Sequence, residues 1–266
     1  MKCLRISSSI ANFERKLLDR YWDYSYWNVL RLKEEAVFFG MYHWGDYWKL
    51  LLHRGPKKVF WCGGDILNLQ KSVWRFVIPR LSGKHVCENA VEFDALLRLG
   101  IQADIHPMIF ADPDAYPNVF QPSDNPKVFL CVHKGREDEY GIQTIFEIAR
   151  ELRGVTFHIY GDVGVDFKDF PSNVKFHGII PEKQFNEEIR GYHCGLRLNS
   201  FDGFSEVTAK SILLGQYPIT IIPFPNLDRV KDLSELKEKL KGLAKKKVPN
   251  PYRDSWYQML CKRVEA

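Results

Sequence analysis

The apolar positions of this chain follow two spacings that alternate along the sequence. Short runs in which most residues are apolar, such as "EAVFFG" at 35–40 and "KKVFWC" at 57–62, are separated by segments whose apolar residues recur every three or four positions. Runs of the first kind are typical of strands in a parallel sheet, and segments of the second kind are typical of helices that cover it. The pattern therefore predicts an α/β protein.

The first part of the chain contains a full set of these elements. Predicted strands lie at 35–40, 57–62, 84–88 and 102–107, with "KCLRI" near the start as a further candidate. Predicted helices lie at 44–54, 67–80 and 89–99. Because the two kinds of element alternate, this part is expected to form a doubly wound domain, with a parallel sheet between layers of helices.

The same alternation begins again in the second part of the chain. Predicted strands are "KVFLCVH" (127–133), "VTFHIYG" (155–161), "VKFHGII", "CGLRLNS" and "YPITII". A helix between the first two is indicated by apolar residues at Ile142, Ile145, Phe146, Ala149 and Leu152. A later amphipathic helix is indicated by Leu233, Leu236, Leu240 and Leu243. We interpret the lysines on its other face as a solvated surface.

A proline-rich segment separates the two halves. Residues 111–126, "ADPDAYPNVFQPSDNP", contain four prolines and follow neither spacing, so they are typical of a linker. We predict a first domain at 1–112, a linker at 113–126, a second domain at 127–248, and a C-terminal helix at 249–266 that packs back toward the first domain. Both domains are expected to be doubly wound and Rossmann-like.

Composition restricts the class of protein further. With 266 residues and 45% hydrophobic content, the chain can form two modest cores. No apolar run approaches the length of a membrane span, and "MKCLRISSSIANFERKL" lacks the apolar core of a signal peptide. We therefore expect a cytoplasmic protein. A peripheral contact with the inner membrane face is a second expectation. It is suggested by the net charge of +5 and by two aromatic segments, "RYWDYSYWNVL" and "GMYHWGDYW". No nucleic-acid partner is predicted.

Glycine, acidic and basic residues follow several of the predicted strands. The turns concerned are Gly63-Gly64-Asp65, Lys134-Gly135-Arg136, Gly161-Asp162 and Asp202-Gly203-Phe204-Ser205. Turn chemistry alone explains any one of them. In doubly wound folds, however, ligands bind at the carboxyl ends of the strands, and four such turns at that position indicate a binding site in the cleft between the domains.

The second half of the chain resembles a known family. The stretches "VHKGREDEYGIQTIFEIARELRGVTFHIYGDVG" and "NVKFHGIIPEKQFNEEIRGYHCGLRLNSFDGFSEVTAKSILLGQYPI" resemble the donor-binding domain of GT-B glycosyltransferases of the retaining family 4. The first half is similar more loosely, in "VFWCGGDIL" and "HVCENAVEFDALLRLGIQADIHP". The resemblance implies two doubly wound Rossmann-like domains with a cleft between them, the first of them shortened.

The resemblance implies a diphosphate site in the second domain. Lys134 and Arg136 would meet the diphosphate of a nucleotide sugar, and the glycines Gly161 and Gly178 would belong to the same donor site. Tyr140 stands where the family has a basic residue, so Arg136 is expected to carry more of the phosphate contact through its forked guanidinium. The alternative for the two cations is an exposed charged loop.

The stretch "NSFDGFSEVTAK" carries the other half of the donor site in the family. Its turn would contact the sugar and phosphate through one carboxylate and several backbone N–H groups, contributed by Asp202, Gly203, Phe204 and Ser205. The family has a second acidic residue eight positions after the first, where this chain has Lys210. Glu206 is expected either to pair with Lys210 or to take over the ribose contact.

Candidates for the acceptor side lie in the first domain. His43 and Asp65 follow predicted strands and would contact the sugar or activate an acceptor hydroxyl, with Gly63 and Gly64 beside them. A histidine among aromatic residues is equally typical of a core position, and Asp65 is equally suited to cap the next helix. His43, Asp65 and Asp202 are the predicted catalytic residues.

These observations lead to one function and two alternatives. The resemblance implies a retaining, metal-independent glycosyltransferase without a cofactor, which moves a sugar from a UDP- or GDP-linked donor to a hydroxyl of a glycan, lipid-linked or protein acceptor. Lys210 and the short first domain suggest instead a non-catalytic GT-B module that binds a glycan or a partner. A sugar-nucleotide epimerase on the same fold is the third possibility. Neither the acceptor nor the oligomeric state is specified by these residues.

Overall fold

The chain divides into two compact units. The computed structural model describes residues 2–13, 25–81, 83–164 and 169–261. The first unit contains the described residues up to Asp112 together with Phe201–Phe204, and the second contains those of Pro113–Ser200 and Ser205–Cys261. The four residues Phe201–Phe204 thus belong to the first unit, although the residues on either side of them in the sequence belong to the second.

The first unit is built on a parallel sheet with the strand order β2-β1-β3-β4-β5-β6. Its strands are β1 (Lys2–Ile6), β2 (Ser25–Tyr26), β3 (Glu35–Phe39), β4 (Lys57–Phe60), β5 (Lys84–Cys87) and β6 (Asp104–Ile105). Its α-helices are α1 (Trp44–Leu52), α2 (Gly64–Lys71) and α3 (Ala90–Arg98). Short 3-10 helices lie at Ser8–Phe13, Val29–Arg31, Val73–Phe76 and Ile78–Arg80. The strand predicted at "KCLRI" is confirmed as β1.

Strand β3 shows why this sheet is buried on both faces. Its last four residues are all buried, and consecutive side chains point to opposite sides. Phe38 packs with Trp61 and Ile66 in one apolar cluster, whereas Phe39 packs with Phe60 in another. Each aromatic side chain is 2% exposed or less, so the sheet is held by apolar burial on both sides.

The second unit has a parallel sheet with the order β12-β11-β10-β7-β8-β9. Its strands are β7 (Lys127–Val132), β8 (Thr156–Gly161), β9 (Val174–Gly178), β10 (Cys194–Arg197), β11 (Ile219–Thr220) and β12 (Asp228–Arg229). Its α-helices are α4 (Ile142–Glu151), α5 (Glu182–Glu188), α6 (Glu206–Leu213), α7 (Leu233–Gly242) and α8 (Arg253–Cys261). Short 3-10 helices lie at Pro113–Ala115, Ile189–Gly191 and Leu243–Lys245.

The apolar positions predicted for α4 and α7 form part of the second core. Ile145 and Phe146 are buried against strands β7 and β8, as the helical spacing predicts. On α7, Leu236 and Leu240 are buried, whereas Leu233 at the first position of the helix is 37% exposed. The α/β class and the two parallel sheets predicted from the sequence are therefore confirmed.

Some element boundaries differ from those predicted. The helix predicted at 67–80 ends at Lys71, because Ser72 adopts an extended conformation and its hydroxyl caps the next short helix by accepting the Trp74 amide at 3.2 Å. Pro79 then stands in the first turn of a further 3-10 helix. In addition, no helix of the described ranges is long and apolar enough to cross a membrane.

The last described helix, α8, is held within the second unit. Its Trp256 donates an indole hydrogen bond to the Pro225 carbonyl at 3.2 Å and contacts the ring of Phe224 edge-on. Arg253 donates to the Leu213 carbonyl at 3.0 Å. The packing toward the first domain that we predict for 249–266 stays a prediction, and residues 262–266 lie outside the described residues.

Candidate functional site

The Gly63 turn connects β4 to α2 in the first unit. Gly63 has φ +86° and ψ −88°, a conformation that residues with a side chain rarely adopt. Asp65 lies in the first turn of α2, where its carboxylate accepts the amides of Met41, Cys62 and Ile66 at 2.9–3.0 Å. The carboxylate thus ties together the ends of two neighbouring strands and the start of a helix.

Asp65 has no exposed surface. Burial raises the pKa of its carboxyl to about 6, although the three amide hydrogen bonds act in the opposite direction. Asp65 therefore holds three backbone amides from inside the first turn of α2, whose N-cap residue is Gly63 and not Asp65 as the sequence alternative has it. Its catalytic role stays a prediction.

His43 lies on an exposed turn and not in the core. It precedes α1, and its imidazole Nε2 is 2.8 Å from the Ser9 hydroxyl. Its amide donates to Asp46 at 3.1 Å, and this carboxylate also accepts from Ser7 at 2.6 Å and Arg5 at 2.9 Å. The backbone at His43 is therefore held by a buried carboxylate while the imidazole stays accessible, as a residue that contacts a substrate requires.

The segment Phe201–Phe204 is held by residues at the end of β5. The Phe204 amide donates to Glu88 Oε2 at 3.0 Å, and the side-chain amide of Asn89 donates to the Asp202 carbonyl at 2.8 Å. Asn89 also caps α3, because its Oδ1 accepts two amides of the first helical turn at 3.0 Å. The Phe204 N–H that the sequence assigns to a donor contact is thus already bonded to Glu88.

Close backbone approach explains the glycines of this cluster. A Cβ on Gly203 would lie 2.0 Å from Glu88 Oε2, and a Cβ on Gly63 would lie 2.8 Å from the Gly203 nitrogen. Neither position leaves room for a side chain. Any residue other than glycine at 63 or 203 would therefore require the neighbouring backbone or the Glu88 side chain to move. The arrangement fixes the backbone at Asp202 within the first unit, beside the Gly63 turn.

Three buried carboxyl groups lie in this part of the first unit. Glu88, Glu92 and Asp65 are each 4% exposed or less. Glu88 accepts two amides, from Phe204 and Met108, whereas Glu92 accepts only the Glu88 amide, at 2.6 Å. Within the described residues, Glu92 Oε1 is buried without a hydrogen-bond partner. Burial and the neighbouring charge of Glu88 raise the pKa of Glu92 well above its ordinary value, which favours the protonated form of this carboxyl group.

The raised pKa of Glu92 predicts a pH dependence of stability that Glu92→Gln should weaken. A raised carboxyl pKa contributes stability below the unfolded value of 4.5, and that stability is lost as the pH rises through the folded value. Glutamine imitates the protonated acid at every pH. In urea unfolding we therefore expect the variant to be closest to the wild type in free energy of unfolding near pH 5 and to exceed it increasingly toward pH 8.

Asp94→Asn is the matched control for this experiment, because Asp94 lies on the same helix and is exposed. We expect this variant to follow the wild-type dependence of unfolding free energy on pH. A wild type and a Glu92→Gln variant with parallel curves from pH 5 to pH 8 would show that Glu92 is ionised in the folded protein.

The loop after β7 carries the cations predicted to bind diphosphate. Lys134 is exposed, and Arg136 has about half of its side chain exposed while its Nε bonds to Glu139 at 2.8 Å. The guanidinium carbon of Arg136 lies 5.6 Å from the ring centre of Tyr140, and that of Arg197 lies 4.6 Å from it. Tyr140 therefore serves as a buried aromatic support for the charged loop, not as a surface residue.

Glu137 joins the loops that follow β7 and β8. Its Oε1 accepts the amides of Gly135 at 3.0 Å and Gly164 at 2.8 Å, and these backbone hydrogen bonds lower its pKa. Gly161 at the end of β8 has φ +102°, and a Cβ there would lie 2.1 Å from the Val132 carbonyl oxygen. Lys134, Arg136 and Gly161 are thus brought together at one edge of the second sheet.

Gly178 and Ser205 end or begin other elements of the second unit. Gly178 is the last residue of β9, with φ +66° and open space where a side chain would lie. Ser205 caps α6, since its hydroxyl accepts the Thr208 amide at 3.2 Å. The Asp-Gly-Phe-Ser turn therefore leads directly into α6.

Lys210 lies in a cage of acidic and aromatic side chains. Its Nζ is 3.2 Å from Asn186 Oδ1 and 3.6 Å from a carboxylate oxygen of each of Glu182 and Glu206. The rings of Tyr116 and Phe185 have centres 5.6 and 5.4 Å from the same nitrogen. Lys210 and Glu206 thus form the ion pair that is one of the two alternatives expected for Glu206.

The charge of Lys210 is maintained by this cage. Only 5% of the residue is exposed. Burial alone lowers the pKa of an ammonium, but Glu206, Tyr116 and Glu182 outweigh it, so the pKa of Lys210 is raised. The ammonium therefore stays protonated at neutral pH.

The structure thus forms two groups of the predicted site residues, one in each unit. The first contains His43, Gly63, Gly64, Asp65, Asp202, Gly203 and Phe204. The second contains Lys134, Arg136, Tyr140, Gly161, Gly178, Ser205, Glu206 and Lys210. Sequence reasoning missed the residues that hold them, namely Glu88, Asn89, Glu92, Glu137, Glu182, Asn186 and Arg197. Asn89 alone had a local signal, as an N-cap residue after a predicted strand.

The two sheets and their connections define the fold of GT-B glycosyltransferases. No protein family and no curated protein matches the chain by sequence. Many solved structures match it in fold at identities too low to show more than the fold itself.

Three of these structures show how much of the chain is covered. HepE of Anabaena, solved with UDP-glucose, has 10% identity and a TM-score of 0.63, covering 100% of this chain and 96% of its own. The pneumococcal O-GlcNAc transferase GtfA, solved with UDP and GlcNAc, has 14% identity and a TM-score of 0.58, covering 87% and 54%. Sucrose-phosphate synthase of Thermosynechococcus elongatus has 13% identity and a TM-score of 0.58, covering 86% and 67%. The chain thus spans about half the length of GtfA.

Proposed function

We propose that this protein is a glycosyltransferase that moves a sugar from a nucleoside diphosphate sugar to a hydroxyl acceptor, without a metal ion and with retention of configuration. The observation that carries the proposal is the pair of cations, Lys134 and Arg136, beside Gly161 at one edge of the second sheet of a GT-B fold. HepE and GtfA, which share this fold, were solved with UDP-glucose and with UDP, respectively.

The cations suit the charge that develops in the reaction. When the bond between the sugar and the diphosphate breaks, the leaving diphosphate gains negative charge, and fixed positive groups stabilise it. Arg136 can exchange the Glu139 carboxylate for phosphate oxygens of the same geometry, because a guanidinium binds both as a fork. Lys134 supplies a second, exposed charge on the same loop.

The first unit supplies the groups proposed for the sugar and the acceptor. His43 has an accessible imidazole that can take the proton of an acceptor hydroxyl. Asp202 is proposed to hold sugar hydroxyls, and its backbone position is fixed by Asn89 and Glu88 at a close approach to the Gly63 turn. These roles rest on the placement of the side chains and on the resemblance described above.

Arg136→Ala should weaken UDP binding about tenfold, because the variant loses a charge-assisted contact with phosphate. Binding of uridine, which has no phosphate, should not change. Titration calorimetry with EDTA present measures both ligands and also tests the proposed independence from metal. The control is Lys241→Ala, which removes an exposed cation from the last turn of α7.

Two outcomes of this titration would contradict the proposal. Equal losses for UDP and uridine would place Arg136 away from the phosphates. UDP binding that appears only when magnesium is added would overturn the metal-independent mechanism, while leaving a nucleotide-binding site in place.

A non-catalytic GT-B module that binds a nucleotide or a glycan is the second candidate function. It is favoured by Lys210, which stands where the family has an acidic residue and is held by Glu182 and Glu206. The two functions differ in turnover. Release of UDP from UDP-glucose or UDP-GlcNAc in the presence of simple glycosides supports the transferase, whereas binding without release supports the module.

A further inference from the structure

The first unit exposes an unusual set of large apolar side chains on two neighbouring helices. We name it the tryptophan face, and its exposed members are Trp44, Trp48 and Leu52 of α1 and Val73 and Phe76 of the 3-10 helix Val73–Phe76. Each of them is about half exposed or more, from 48% for Trp48 to 63% for Val73. Contiguous apolar surface of this kind usually marks a binding surface.

The tryptophan face spans two neighbouring helices that a buried ring connects. Trp44, Trp48 and Leu52 follow one another at four-residue spacing and so lie on one side of α1. The buried ring of Trp74 contacts both exposed indoles edge-on, with ring centres 5.8 Å and 5.1 Å away, and stacks on Tyr47 at 5.5 Å. The exposed indoles therefore rest on a buried aromatic support that joins the two helices.

The charges on the two segments that carry this face are almost all positive. Residues 44–54 and 71–81 contain five cations, Lys49, Arg54, Lys71, Arg75 and Arg80. Their one acidic residue, Asp46, is 2% exposed and bonds to Arg5 and Ser7. No exposed carboxylate therefore lies on either segment among the residues that the structure describes.

We propose that the tryptophan face binds the surface of an anionic lipid bilayer. Indole rings favour the boundary between headgroups and acyl chains, because one end is apolar and the other carries a polar N–H. Each cation close to an anionic membrane adds about 1 kcal/mol of attraction. The cations that border the apolar set match anionic headgroups, and binding of a protein partner is an outcome of the test below.

Membrane binding by this face does not depend on sugar transfer. If the proposed function is correct, however, membrane binding would place sugar transfer at the bilayer surface. His43, proposed above to contact the acceptor, directly precedes Trp44. A bilayer held against the face would therefore lie next to the acceptor side of the first unit. On the proposed function, this favours an acceptor hydroxyl carried on a lipid, close to the membrane surface.

Vesicle sedimentation with the full chain tests the proposal. We expect binding to vesicles of phosphatidylcholine with about 30% phosphatidylglycerol, little binding to phosphatidylcholine alone, and a decrease with added salt. Trp44→Ser combined with Trp48→Ser should reduce the partition coefficient at least about tenfold, because two indoles no longer enter the interface. Arg75→Glu combined with Arg80→Glu should remove the preference for the anionic vesicles.

The control is Leu97→Ser, which removes an exposed leucine from α3 of the same unit and should leave vesicle binding unchanged. Thermal unfolding and UDP titration of each variant show that the fold and the proposed donor site are retained. If the wild type does not bind UDP, the proposed function is contradicted while the membrane result stands. Failure of the proposed function can therefore be told apart from failure of the membrane proposal.

Three outcomes would overturn the membrane proposal. The first is equal vesicle binding by the wild type and the double tryptophan variant. The second is binding that does not distinguish anionic from neutral vesicles. The third is a dimer of the wild type in sedimentation velocity that the double tryptophan variant loses, together with no vesicle binding, because the face would then bind a second copy of the chain.

Discussion

Gly203→Ala is expected to lower the free energy of unfolding by about 2–4 kcal/mol, because the new methyl group has no space. Its Cβ would lie 2.0 Å from Glu88 Oε2, and Glu88 cannot move aside without losing its hydrogen bonds to the amides of Phe204 and Met108. The segment that carries Asp202 would then shift, so we also expect turnover of the proposed reaction to fall by more than about a hundredfold.

A double-mutant cycle separates this clash from the general effect of adding a methyl group. Gly45→Ala is the matched control, because Gly45 lies in α1 of the same unit with nothing within 4 Å of the added carbon. It should be neutral or slightly stabilising. In a Glu88→Ala background, Gly203→Ala should cost at least about 1 kcal/mol less than in the wild type. Equal costs in both backgrounds would show that Glu88 is not the obstacle.

Lys210→Glu introduces the acidic residue found in the family that the sequence resembles, and we expect it to destabilise this protein by about 3 kcal/mol. The new carboxylate would stand where the ammonium now lies 3.6 Å from both Glu182 and Glu206. Three like charges would then share a site that is closed by the rings of Tyr116 and Phe185. Urea unfolding at low ionic strength measures the loss, and added salt should recover part of it.

Two further variants show whether charge or packing causes the loss. Lys210→Met keeps the length of the side chain and removes its charge, so it should cost less than Lys210→Glu, since Glu182 and Glu206 are partly exposed and can regain water. Lys241→Glu makes the same charge change at an exposed position and should be nearly neutral. If Lys210→Glu and Lys241→Glu have the same small effect, the cage does not stabilise the second unit.

Most strands and helices could be predicted because their apolar residues follow local spacings, whereas the short strands β2 and β12 and the order of the strands could not. Strands such as β3 are buried on both faces, so their residues are apolar almost without interruption, and the helices between them follow a period of 3.6. The lengths of elements were harder to predict. The helical pattern of apolar residues continues through Ser72. The Ser72 side chain nevertheless caps a new short helix there, so α2 ends. Whether one helix or two form therefore depends on the hydrogen bond of a single hydroxyl group.

The site could be predicted only where one segment contains both partners. The pairing of Lys210 with Glu206 follows from their separation by one helical turn, whereas Glu182 and Asn186 come from another helix. The bond from Phe204 to Glu88 joins residues 116 positions apart, and nothing near either residue indicates the other. Glycines were recognised as turn residues, but what they approach is set by the three-dimensional structure.

Because Phe201–Phe204 belong to the first unit, that unit cannot be completed until these residues have been translated. A ribosome releases the chain from its amino end, so Glu88 and Asn89 emerge long before the amides and the carbonyl that they bond. Until then water must satisfy these side chains, and the carboxyl end of the first sheet stays incomplete. Strands β7 to β10 of the second unit are synthesised in this interval. The earlier half of the polypeptide therefore finishes folding only after most of the later half has been translated.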